Sequence, residues 1–178
     1  MNLGELPLCL IIILIFSLLT YQLSNQINDN NTRLAYMAVH TAGVLTAQGM
    51  GFAVGTIATS NDKLGIVLAN GLYLINVFVC GFFTPIEALP TVIRWLPNIS
   101  FVKQSYELIA YIFYGFDRCP DGQVSVVLDQ LKLNDRNQSW INAEILIGQI
   151  IFYRTFALVT MLIKANKRRI GSLARLFK

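Results

Sequence analysis

Ionised side chains are missing from this sequence over long intervals, and that property constrains its fold more than any other. Between residues 6 and 61 only Asp29 and Arg33 carry charge, and between 64 and 86 nothing does. A chain of 178 residues, close to one domain of ~150, encloses too little interior to hide both stretches from water. Charged residues make up 13% and hydrophobic residues 54%, where a soluble domain carries about 25% charged residues. Lipid is therefore part of the solvent. A secreted disulfide scaffold is excluded as well, because the chain has three cysteines, too few and an odd number.

A hydrocarbon core roughly 30 Å thick takes a helix of about 20 mostly apolar residues. Four segments meet that length: 6–23, 34–59, 64–83 and 145–163. Lipid offers no partner to an open backbone, and the apolar runs show no period-2 alternation, so these segments are predicted helices. The first has the look of a signal-peptide core. No basic residue precedes it and no small-x-small cleavage site follows, so it is read as a span. The expected fold class is an all-α membrane protein of four transmembrane helices. A large outer loop, 84–144, would carry a re-entrant or interfacial helical segment, and a basic tail, 164–178, would close the chain.

Orientation follows from the basic residues. The tail carries Lys164, Lys167, Arg168, Arg169, Arg175 and Lys178 with no acid, which by the positive-inside rule makes it cytoplasmic. Four spans then place both termini inside and the 84–144 segment, with five basic against seven acidic residues, outside. Three glycosylation sequons, at Asn30, Asn98 and Asn137, all fall in loops that this topology puts outside. Of these, Asn98 is expected to lie close to the membrane, and Asn137 is the better acceptor.

The second segment carries Gly43, Ala47, Gly51 and Gly55 at a spacing of four. In a helix that spacing makes a stripe, which lets backbones approach closely in lipid; packing within one bundle is the expected use. His40, the single histidine, has no nearby Cys, Asp or Glu and reads as a hydrogen-bonded interfacial residue rather than a metal ligand. In the third segment Val67, Asn70, Leu74 and Val77 share a helical face, and Asn70 and Asn76 are polar groups at membrane depth. Such groups face a partner helix or a cavity, and spacing alone leaves both open. Gln149 and Arg154 lie in the fourth segment. Arg154 sits too deep to snorkel and requires an acidic or carbonyl partner or a wet crevice.

Within the outer segment, residues 91–116 combine Trp95, Phe101, Tyr106, Tyr111, Phe113 and Tyr114 with Arg94, Lys103 and Glu107, a pattern for short helices at the outer interface. After Gly115, the Cys119-Pro120-Asp121-Gly122 turn opens what reads as a small solvated loop reaching Asn142. The chain contains no nucleotide P-loop, no H-E-x-x-H, no C-x-x-C and no G-x-S-x-G, so an enzyme active site has no support. The basic tail beside a span attracts anionic lipid rather than nucleic acid.

Cys80-Gly81-Phe82-Phe83-Thr84, Ile86-Glu87-Ala88-Leu89-Pro90, Arg94-Trp95-Leu96, Ser100 and Tyr106-Glu107 occur in an order that resembles the C-terminal half of the transmembrane domain of the G subfamily of ABC transporters. That group includes the white/scarlet pigment carriers and the sterol and multidrug half-transporters. Cys80 stands where the family often has serine. The resemblance implies an ABC-2 type transmembrane domain whose third to sixth helices are the four spans here. Val67, Asn70, Leu74 and Val77 would then line part of the substrate cavity, Phe82 and Phe83 would form the plug between inner and outer cavities, and Cys119 would be a candidate for a disulfide between subunits.

The implied function is export of lipid, pigment-precursor or amphipathic small molecules by a multi-pass, dimeric glycoprotein, most simply at the plasma membrane. ATP and Mg are implied for the complete transporter and no cofactor for this chain. The implied partners are membrane lipid, a second half-transporter (the same chain or a different one) and an ATP-binding domain, with no nucleic acid. The ATP-binding domain and the family's first two spans have no counterpart in the sequence, so the chain by itself is not expected to couple ATP to transport. A non-transporting four-span interaction protein or a truncated regulatory subunit is the alternative expectation. A small channel would need a continuous polar stripe, which Asn70, Asn76, Gln149 and Arg154 do not supply.

Overall fold

In a computed structural model, the described residues are 5–24, 29–59, 61–83, 89–115, 125–131, 133 and 136–176. Among them are six α-helices: α1 Glu5–Leu23, α2 Asn30–Ile57, α3 Asp62–Phe78, α4 Phe101–Tyr114, α5 Val126–Gln130 and α6 Arg136–Leu176. Two 3-10 turns, Thr91–Ile93 and Leu96–Ile99, precede α4. Four of these starts have a local cause. Asp29 accepts from the amide of Thr32 at the head of α2, Asn61 from Leu64 at α3, Ser100 from Lys103 at α4 and Ser125 from Leu128 at α5. Caps of this kind are worth about 1 kcal/mol each.

Side-chain pairs fix the helix directions. Gln48 meets Cys9, His40 meets Ser17 and Tyr36 meets Tyr21, so each step back along α2 is matched by a step forward along α1. The two helices are antiparallel. Conversely Gln48 meets Arg154 and Thr56 meets Lys164, so α2 and α6 run parallel. The N-termini of α2 and α6, with Asn30 and Asn137, therefore lie at one end of the bundle. The α2–α3 connection and the basic end of α6 lie at the other. The apolar core of Met50, Phe101, Leu108 and Leu146 is shared by α2, α4 and α6, and a smaller cluster joins Ala110 to Leu128 and Leu133.

Several expected boundaries move. The third predicted span extends to 83, but α3 ends at Phe78 and the chain turns through Gly81 at φ 90°, a left-handed conformation that glycine adopts without steric cost. Phe82 and Phe83 thus sit on a bend. The loop expected to run solvated to Asn142 is instead helical from Arg136, with Asn142, Leu128 and Leu133 buried; the apolar periodicity of α6 simply begins earlier than its hydropathy. Among the described helices one stretch, Asn137–Asn166, is both long and apolar enough to cross a bilayer by its own composition. The apolar parts of α1 and α3, Pro7–Leu23 and Lys63–Phe78, are shorter, and α2 is diluted by Asn30, Asn31, Arg33, His40 and Gln48. What the fold shows is a multi-helix, membrane-associated all-α domain rather than four uniform spans.

Candidate functional site

The α3 helix packs on α2 through small residues, Gly65 meeting Ala58, and touches α4 near its C-terminal end, while the face that carries Val67 and Leu74 stays uncovered. Val67 and Leu74 are exposed, Val67 by 66%, with Asn70 between them on the same face. The amide of Asn70 has no hydrogen-bond partner among the described residues. Asn76, by contrast, turns back onto its own helix, its Nδ2 donating to Leu72 O at 2.9 Å. The expected choice between helix pairing and cavity lining thus divides: Asn76 is satisfied locally, and Asn70 presents an unused donor and acceptor beside Val67 and Leu74. Val77, at the end of the face, is half-buried.

Phe82 and Phe83 project from the bend beyond α3, exposed by 63% and 61%. Their rings meet edge to face at 5.0 Å, and Phe82 meets Tyr106 of α4 at 5.8 Å. Phe83 also contacts Phe78. The pair is therefore tied mechanically to both α3 and α4.

Polar contacts clamp the segment that carries these aromatics. The carbonyl of Asn76, left over where α3 unwinds, accepts from Ser100 Oγ at 2.9 Å. Gln149 of α6 donates to Ile99 O at 2.8 Å, and Gln104 to Asn98 O at 2.7 Å. Glu107, nearly buried, accepts from Asn142 Nδ2 at 2.6 Å and pairs with Lys103 at 3.5 Å. Gln138 donates on to Asn142 Oδ1 at 3.2 Å. Buried polar groups in such networks are costly to leave unmade, so these bonds tie the 3-10 turns, α4 and the outer part of α6 together.

Deeper in the bundle, Arg154 finds the carbonyl partner that its depth demanded: it donates to Gln48 Oε1 at 3.0 Å, and Gln48 in turn reaches Cys9 Sγ at 3.7 Å. His40 is hydrogen-bonded to Ser17 at 2.5 Å and stacked between Phe16 and Tyr36. No group of three or more metal-ligating side chains occurs among the described residues. Asn30 and Asn137 are exposed, and Asn98 is exposed while its sequon partner Ser100 is buried as the cap of α4. Cys119 lies outside the described residues. Sequence reasoning missed the glycine that lets α6 approach α2. A Cβ on Gly49 would stand 3.1 Å from Tyr153 Cβ, yet Gly49 is not in the four-residue stripe. Its pairing with α6 depends on a parallel contact that spacing within α2 cannot reveal.

A family model described as ABC-2 type transporter matches residues 1–114. Among curated proteins, the chain is 28% identical over 164 residues to ABC transporter G family member 21 of Arabidopsis thaliana, covering 89% of this chain and 24% of that protein. It is 28% identical over 165 residues to ABC transporter G family member 14 of the same plant, covering 90% and 25%. The Caenorhabditis elegans ABC transporter ATP-binding protein/permease wht-1 is 24% identical over 182 residues, covering 92% and 26%. The chain spans about a quarter of the length of these relatives. What matches is a membrane domain, distinct from the ATP-binding domain, and its role is not enzymatic.

Proposed function

Because the chain belongs to the ABC-2 type transporter family, we propose that it is the C-terminal part of the membrane domain of a G-type ABC half-transporter. It would contribute four membrane helices (α1, α2, α3 and α6) to an exporter of lipid, pigment-precursor or amphipathic small molecules. Function requires an ATP-binding domain and a second half-transporter, which together make the dimer that alternates between inward and outward openings. The names of the relatives, two of them G-family members and one an ATP-binding protein/permease, support this reading.

The observation that carries it is the uncovered α3 face. An amide with no partner among the described residues, flanked by exposed Val67 and Leu74, is costly against lipid but suits a cavity wall that is mostly apolar with a few placed polar groups. Phe82 and Phe83 stand at the outer end of that face and form the gate. Their contact with Tyr106 and the bond from Ser100 to Asn76 couple the gate to the clamped outer body. The basic tail is cytoplasmic, and the shared end of Asn30 and Asn137 is outside, consistent with the parallel course of α2 and α6.

Tryptophan scanning in the assembled transporter tests the cavity. Val67→Trp and Leu74→Trp are expected to cut transport by an order of magnitude or more, whereas Leu68→Trp and Leu72→Trp, on the other flank of α3, leave it near wild type. Equal loss on both flanks, or none on either, would remove the α3 face from the transport path.

A further inference from the structure

An open groove of about 310 Å³ lies between the C-terminal part of α2 and α6, with Gly51, Phe52, Gly55, Met161 and Ala165 in its walls and Lys164 beside them. It exists because two side chains are missing. A Cβ built on Gly51 or on Gly55 meets no atom within 4 Å. The residues lining it include no acid. Lys164 donates to the carbonyls of Thr56 and Ile57 and to Thr59 Oγ1, which fixes a cation at the end of α2. That helix end contributes roughly half a negative charge, so the local balance stays positive. The sequence then adds Lys167, Arg168 and Arg169 within α6.

An apolar trough ending at a fixed cation, on a membrane-embedded surface, matches an amphiphile with a hydrocarbon tail and a negative head. Basic pockets between helices on the cytoplasmic side bind anionic headgroups. We propose that this groove holds an acyl chain of an anionic phospholipid from the cytoplasmic leaflet, its headgroup in the field of Lys164 and the basic run that follows. The site is separate from the α3 face, and it rests on the proposed function only for which leaflet supplies the lipid.

Native mass spectrometry of the full chain in neutral detergent, titrated with phosphatidylserine or with phosphatidylcholine, tests the assignment. Phosphatidylserine is expected to be retained at about fivefold lower concentration, the effect of roughly one nearby basic residue at the surface. A Cβ at Gly55 meets no protein atom within 4 Å, and the rest of a leucine side chain extends into the groove, so Gly55→Leu should keep its thermal transition and lose lipid retention. Replacing Lys167, Arg168 and Arg169 together by glutamine should narrow the preference between the two lipids. Equal retention of both lipids by the wild type, or retention unchanged in Gly55→Leu, overturns the proposal. A dimer that Gly55→Leu abolishes while lipid retention persists assigns the groove to a second copy instead. An error in orientation shows separately, as a C-terminal epitope reachable from outside intact cells, and leaves the lipid measurement readable.

Discussion

The two ends of α2 are held by different chemistry. At its N-terminal end, rings and directional hydrogen bonds converge: Tyr21, Tyr36 and Phe113 cluster with ring centres about 6 Å apart and His40 meets Ser17. Gly43 lies so near α4 that a Cβ there would come 2.8 Å from Ser105 Oγ. At its C-terminal end the same small-residue stripe faces open space at Gly51 and Gly55, and one lysine holds the helix end. Small residues in a membrane helix therefore serve two purposes in one element. Where a partner helix is close they permit contact, and where none is close they leave a groove. The N-terminal end, with the clamp around Glu107, is the more densely hydrogen-bonded part of the bundle, and α3 with the Phe82–Phe83 bend is the more exposed part.

Substitutions can break or sharpen that contrast, and thermal unfolding of the chain in detergent ranks them. For a domain of this size each kcal/mol moves the midpoint by about 2–4 °C. The largest loss is expected from Glu107→Ala, about 3 kcal/mol, because it strands the amide of buried Asn142 and the ammonium of Lys103. Gly49→Leu should follow at about 2 kcal/mol by overpacking against Tyr153. Lys164→Met removes a cation from a helix C-terminus and should cost about 1 kcal/mol. Gly55→Leu, six residues from Gly49 on the same helix, should stay within about 0.5 kcal/mol. If Gly55→Leu proves as damaging as Gly49→Leu, the covered and the open glycines of α2 do not differ and the contrast fails.

Much of this architecture was legible in the sequence, because hydropathy reports where lipid or core must be. The first three helices lie close to their predicted segments, and the need of Arg154 for an acidic or carbonyl partner or a wet crevice followed from its depth. Helix ends were less legible. The bend at Gly81 is a backbone property of one residue within an apolar run, and hydropathy does not register it. The start of α6 was missed because its first turns mix polar residues with exposed Trp140 and Ile141, while Asn142 and Leu146 already face the bundle. Contacts between distant segments, such as Glu107 with Asn142 and Lys164 with the end of α2, leave no local pattern at all. The four-residue stripe likewise pointed to helix packing but not to which of its glycines would be covered.

The central claim is that the α3 face and its Phe82–Phe83 bend lie on the transport path of an ATP-driven exporter. The most direct test is ATPase activity of the assembled transporter, with and without transported compound, carrying Phe82→Ala or Phe83→Ala. A loosened gate predicts a raised basal rate and a diminished response to compound in at least one of the two variants. Basal and stimulated rates that match the wild type in both would contradict the account.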